Sequence, residues 1–228
     1  MKKLGVVGGL GPAASAYFYE LLTGLSAAET DQEHPEIIIY SRTSVPDRTA
    51  YILGRSDESP VPLITDTINA LETIGAEIIA IPCVTACYFY DELVKAAGIP
   101  VINMIKEAAD ELERRGISSA GIMGTSGTLK SQMFQQELEK RGIKTIVPSE
   151  RNRETVMNVI YEIKANKQID FEAFEAVSAE LTNAGAQTII LGCTELSLIN
   201  RSRKLGERYT DAMEVLAVSA LRACGARA

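Results

Sequence analysis

The chain is poor in the features that mark several large classes of protein. No run of lysine and arginine exceeds two or three residues, and the net charge is −7. Phosphate contacts need clustered cations, so a nucleic-acid-binding face is excluded. No apolar stretch approaches the ~20 residues that span a bilayer, and no membrane contact is expected. Met1-Lys2-Lys3 with the apolar residues behind it and Ala14-Ser15-Ala16 imitates an export signal, but Gly5, Gly8 and Gly9 interrupt what must be a continuous apolar helix. Four cysteines are too few for a disulfide scaffold in 228 residues, and the cytoplasm is the expected compartment. Histidine is scarcer still: His34 stands alone in the polar turn Gln32-Glu33-His34-Pro35. A zinc site drawn from His34, Cys83, Cys87 and Cys193 lacks the usual Cys-x2-Cys spacing, so no metal is expected.

What is present is ordinary in bulk and repetitive in detail. Apolar residues make up 46% and charged residues 23%, as in a globular protein with one large or two small domains. One segment is written twice. Leu71 to Thr85 runs through Gly75-Ala76-Glu77 and an apolar stretch to Cys83; Leu181 to Glu195 runs through Gly185-Ala186-Gln187 and an apolar stretch to Cys193. A β-branched apolar run ending in a thiol reads as a buried strand that delivers a side chain to its C-terminal tip. The glycine triplet 5, 8 and 11 also returns at 121, 124 and 127. Two independent echoes imply a duplicated unit.

In order, strands are expected at 4–8, 36–40, 78–81, 99–102, 120–123, 144–147 and up to Cys193. Helices are expected at about 12–26, 62–74, 86–97, 106–115, 129–141, 152–164, 170–184 and from the Tyr209-Thr210-Asp211 segment to Ala223. Strands alternating with helices imply βαβ units and parallel sheets. The expected class is therefore α/β, with two pseudo-symmetric, repeated α/β domains and an active site between them. The expected division is 1–103 plus 209–228 against 104–208. Residues 41–62 are read as a long polar loop, of the length that is functional or disordered.

Cys83 and Cys193 each fall at a strand's C-terminal edge before a helix, where open α/β sheets bind ligands and where a helix N-terminus favours thiolate. The plain alternative for each is a small buried hydrophobe. Gly9-x-Gly11-x-x-Ala14 satisfies a loose dinucleotide pattern, with Arg42 as a 2′-phosphate ligand, but its copy Gly124-Thr125-Ser126-Gly127-Thr128 breaks that pattern. The reading that covers both turns is a pair of anion-attracting backbone nests. Arg48, in the long loop, suits a carboxylate; Lys164 at a helix end is, by chemistry alone, a solvated C-terminal cation.

Taken together, Gly8-Gly9-Leu10-Gly11-Pro12, Asp31 to Pro35, Pro46-Asp47-Arg48-Thr49, Pro82-Cys83, Gly124 to Thr128 and Gly192-Cys193-Thr194-Glu195 resemble the aspartate/glutamate racemase family, its aspartate racemases most of all. The resemblance covers nearly the whole chain. It implies a homodimer that racemises a small dicarboxylic amino acid without a cofactor, with Cys83 and Cys193 as opposed acid and base at Cα. It also implies substrate contacts from Arg48, Thr49, Thr85, Thr125, Lys164, Thr194 and Glu195, and from the turn at Gly9 and Gly11. The chain departs from the family's Pro-Cys-Asn-Thr-Ala-His in one place, reading Pro82-Cys83-Val84-Thr85-Ala86-Cys87. An amide and an imidazole are thereby missing beside the first thiol. A non-catalytic or altered-substrate acid-binding protein of the same fold, or an NADP-dependent oxidoreductase, are the rival readings.

Overall fold

The computed structural model describes residues 1–228. Two parallel sheets organise it. The first has β1 (Leu4–Gly8) at its centre, with β2 (Ile37–Ser41) on one side and β3 (Ile78–Ala80) on the other. The second has β4 (Ser119–Gly124) beside β5 (Lys144–Ile146) and β6 (Thr188–Gly192), with β7 (Tyr209–Asp211) outside β6. The expected strand at 99–102 is reduced to one parallel bridge between Val101 and Ile79. It occupies the place in the first sheet that β7 holds in the second, where Tyr209 pairs with Ile189. Residues 209–211, expected with the first half, thus form the edge of the second sheet.

Alternation along the strands separates three apolar cores. Leu4, Val6 and Ala80 of the first sheet and Ala120, Ile122 and Ile190 of the second face one shared core. Between them lie α1 (Pro12–Leu25), α5 (Met104–Arg114) and α11 (Ala212–Cys224), which supply Phe18, Leu112 and Leu216. Val7 and Ile79 face outward onto α3 (Val61–Thr73), and Met123 and Ile189 outward onto α8 (Glu150–Lys164) and α9 (Phe171–Asn183). Period-two burial on both faces of central strands is what parallel sheets covered by helices require. Phe18, fully buried in the shared core, is of the kind whose truncation to alanine costs about 3–5 kcal/mol.

The duplicated segment has a mechanical meaning. Gly75 and Gly185 both end helices at φ +97°, a backbone region that glycine occupies without penalty. The turn lets Ala76 bond back to Leu71 O and Ala186 to Leu181 O, at 2.9 and 3.0 Å. Those four side chains then cover the bare central-strand glycines Gly5 and Gly121. Helix and sheet are clamped in the same way in both halves.

Three further expected elements differ. The loop 41–62 contains a helical turn, α2 (Arg48–Ile52), capped by Asp47, whose side chain accepts from Ala50 N at 2.8 Å. The segment expected as one helix at 86–97 is a 3-10 turn, Val84–Phe89, followed by α4 (Tyr90–Ala96). The helix expected at 129–141 begins at Ser126 and is broken at Gln132, which takes a left-handed φ of 56°, into α6 (Ser126–Ser131) and α7 (Met133–Glu139). No helix is long and apolar enough to cross a membrane.

Candidate active site

The cysteines occupy matching places at the carboxyl edges of the two sheets. Cys193 follows β6 directly and stands at the N-cap of α10 (Thr194–Arg203); Cys83 follows β3 and stands at the N-cap of the 3-10 turn. Their carbonyls accept from the amide three residues on, Leu196 N at 2.9 Å and Ala86 N at 3.1 Å. Both side chains are buried, and both line one cavity with Arg48, Thr49, Thr85, Thr125, Lys164, Thr194 and Glu195. The sequence-derived residues therefore meet, apart from the two turn glycines. The cavity is about 10 Å³, room for the centre of about one water. A larger cavity of about 430 Å³ lies on the other side of Leu10, Asp47, Arg48, Lys164 and Glu195, which line both. A polar groove of about 380 Å³ between α5 and α11 holds neither thiol.

Five threonines line the inner cavity: Thr49, Thr85, Thr125, Thr128 and Thr194. Thr49 Oγ1 lies 3.3 Å from Thr125 Oγ1, which lies 3.0 Å from Thr128 Oγ1. The first bond joins α2 of one half to the cap of α6 in the other, and Thr125 Oγ1 also accepts from Thr128 N at 3.0 Å. Thr128 is buried, lines the site and was missed by sequence reading. The Gly124–Thr128 turn carried the signal, since a Thr three residues after a Thr cap falls on the same face.

Arg48 is set by backbone. Its guanidinium donates to the carbonyls of Leu10 (2.7 Å), Pro46 (3.0 Å) and Val45 (3.3 Å). Its buried Nε has no partner, which leaves an unspent donor on a site-lining cation. Lys164, at the end of α8 with its side chain 34% exposed, pairs with Glu195 Oε1 at 3.8 Å. Burial pulls its ammonium down, but Glu195, Cys193 and Cys83 outweigh burial and leave it raised.

The thiols differ in their neighbours. Cys83 Sγ lies 3.4 Å from Thr85 Oγ1, while Cys193 Sγ donates to Glu195 Oε2 at 2.9 Å. Burial, then the adjacent Glu195 carboxylate, push the Cys193 thiol well above the ordinary range. Cys87 is pushed up to about 12, by burial and then by Cys83. Cys87, unlike Cys83 and Cys193, does not line the cavity. Val84 is 3% exposed and packs into the shared core, so its face of the site is apolar.

The two turn glycines are accounted for without a dinucleotide. Gly9 N donates to Ser15 Oγ at 2.9 Å, and a β-carbon there would lie 2.5 Å from the Arg42 backbone. A β-carbon on Gly11 would lie 2.8 Å from Glu195 Oε1. Arg42 is itself engaged, with Leu63 O at 3.3 Å and Asp66 at 3.8 Å. His34, Cys83, Cys87 and Cys193 do not come together as a metal-binding group.

Comparison with known proteins agrees with this architecture. The profile of the Asp/Glu/hydantoin racemase family matches residues 7–220. The aspartate racemase of Picrophilus torridus superposes with a TM-score of 0.89 at 30% identity, over 100% of this chain and 96% of that one. A putative Asp/Glu racemase from Yersinia pestis gives 0.81 at 25% identity, over 98% and 99%. The broad specificity amino-acid racemase RacX of Bacillus subtilis is 26% identical over 204 residues, 86% of either chain. The chain belongs to the Asp/Glu/hydantoin racemase family.

Proposed function

We propose that the protein racemises a small dicarboxylic α-amino acid, aspartate foremost, with Cys83 and Cys193 as the opposed acid and base. The observation that carries this reading is that two buried thiols, one from each sheet, line a single cavity that also holds Arg48 and Lys164. A Cα–H beside a carboxylate is a very weak acid. Its carbanion needs a dry site with donors already in place, and the cavity between the thiols is nearly closed, at about 10 Å³. One sulfur takes the α-proton from one face while the other delivers a proton to the opposite face. No cofactor is needed for that exchange. The hydroxyls of Thr85, Thr125 and Thr194 suit the α-carboxylate, and Arg48 with Lys164 the distal one.

Support for a racemase also comes from the relatives, which are named for amino-acid, aspartate and glutamate racemisation. With valine at position 84, the substrate's polar groups fall to the threonines and the two cations. The test is deuterium wash-in at Cα from D2O, followed by NMR across the amino acids. Aspartate or glutamate should exchange and invert in the wild type, and neither Cys83→Ala nor Cys193→Ala should support inversion. Full activity in either variant would end the two-thiol scheme. Stabilisation by aspartate without any exchange would instead identify an acid-binding protein.

A further inference from the structure

One wall of the inner cavity has open space behind it. Leu10, Asp47, Arg48, Lys164 and Glu195 line both the inner cavity of about 10 Å³ and the outer one of about 430 Å³. The larger volume falls among small-molecule sites, about 300–1,000 Å³. Val84, on another wall, is backed by the shared core instead. The outer cavity is built by α1, the loop before α2, α8 and α10, which contribute Ala13, Val45, Ile163 and Leu198. None of the residues that line it alone carries a polar side-chain atom. All of its charge stands on the shared wall, and there each group is already engaged. Lys164 Nζ lies 3.8 Å from Glu195 Oε1, and Glu195 Oε2 accepts from Cys193. The Arg48 guanidinium donates to three carbonyls, and Asp47 Oδ1 accepts from Ala50 N. A neutral chain that crosses this wall therefore leaves no charge unpaired.

We propose that the outer cavity is a side-chain subsite for a second substrate class, α-amino acids with an unbranched apolar side chain longer than that of aspartate. The proposal rests on the racemase reading above and extends it. The α-carboxylate and α-amino group stay among the threonines between the thiols, where the proton exchange is the one already described. The side chain crosses the shared wall beside Leu10, itself 3% exposed, and ends among Ala13, Val45, Ile163 and Leu198. Aspartate stops at that wall, with its distal carboxylate on Arg48 and Lys164. A longer apolar chain instead gains from each methylene that leaves water, about fourfold in binding per methylene.

A homologous series tests this. Exchange and inversion at Cα in D2O are followed by NMR for 2-aminobutyrate, norvaline and norleucine, beside aspartate. In the wild type, kcat/KM should rise about fourfold with each added methylene. Ala13→Phe, at an exposed position of α1, fills the outer cavity and should level the series. Leu198→Trp fills the same space from α10 and should level it too, with the fold of both variants checked by circular dichroism. If the wild type turns over aspartate but the series is flat or falls, the subsite is overturned while the racemase reading stands. A rise that survives in both folded variants overturns it equally. A wild type that exchanges no amino acid at all removes both.

Discussion

A β-carbon added to Gly5 would lie 2.9 Å from the β-carbon of Ala76, closer than real β-carbons approach. Ala76 is fixed by the glycine turn before it, so it cannot retreat. The equivalent pair in the other half is looser: at Gly121 the new atom would meet Ala186 at 3.3 Å and Leu181 at 3.1 Å. Gly5→Ala should therefore cost about 1–3 kcal/mol of stability, and Gly121→Ala clearly less. Urea denaturation of both variants checks the order, and equal losses would mean that the first clamp yields as readily as the second.

The bond between Thr49 and Thr125 ties the two halves together across the site. Because the inner cavity holds the centre of about one water, an amino acid needs its walls to part, and the seam between α2 and α6 is the expected place. Gly127 is the contact point: a β-carbon there would lie 3.2 Å from Thr49 Cα and from Thr49 Oγ1. Gly127→Ala should weaken closure by about 1 kcal/mol and raise KM about fivefold, with the fold intact by circular dichroism. An unchanged KM would place the closing movement elsewhere.

Arg48 combines two tasks that a lysine cannot. Its three bonds to backbone carbonyls fix the loop, and its unpartnered Nε remains for an anion. An ammonium has no planar fork to divide between them. Arg48→Lys should raise KM for aspartate about 10- to 100-fold, a loss of about 1.4–2.8 kcal/mol in binding. If KM is unmoved, Arg48 serves the loop alone.

The parts of this site that are legible in the sequence are those fixed by local chemistry. The cysteines announce themselves because strand, tip and helix cap are contiguous in the chain, and the two copies reinforce each other. Central strands read well because Val6-Val7 and Ile189-Ile190 are buried on both faces. Other features depend on partners far away in sequence. That Gly11 makes room for Glu195 is invisible until the halves meet, so the Gly9-x-Gly11 pattern looks like a phosphate turn. Residues 99–102 read as a strand because they are apolar, yet the pairing is a single bridge, made by Pro100 O and Ile102 N on either side of Val101. Asp47-Arg48 reads as loop because the five-residue helix it caps is held by packing on α6 rather than by propensity.

Asp211 sits where the chain leaves the second sheet for α11, and its ionisation should be visible in stability. The carboxylate accepts from Ser197 Oγ at 2.7 Å, Asn200 Nδ2 at 3.1 Å, Met213 N at 3.0 Å and Glu214 N at 3.4 Å. Burial nevertheless dominates these bonds and holds the group above the ordinary carboxylate range. The folded state then binds this proton more tightly than the unfolded chain, whose value is about 3.9. The stabilisation from that protonation is complete below about pH 4 and is lost as pH rises through the folded value. Asp211→Asn removes the titration. The stability difference between wild type and Asp211→Asn should therefore shift against the wild type as pH rises from about 4 to 7. Asp211→Ala, which strands two side chains and two helix amides, should cost about 2–4 kcal/mol below about pH 4 and less as pH rises. Thermal unfolding of the three proteins across that range decides it: a difference that instead moves in favour of the wild type would mean that the four hydrogen bonds outweigh burial and hold the carboxylate charged.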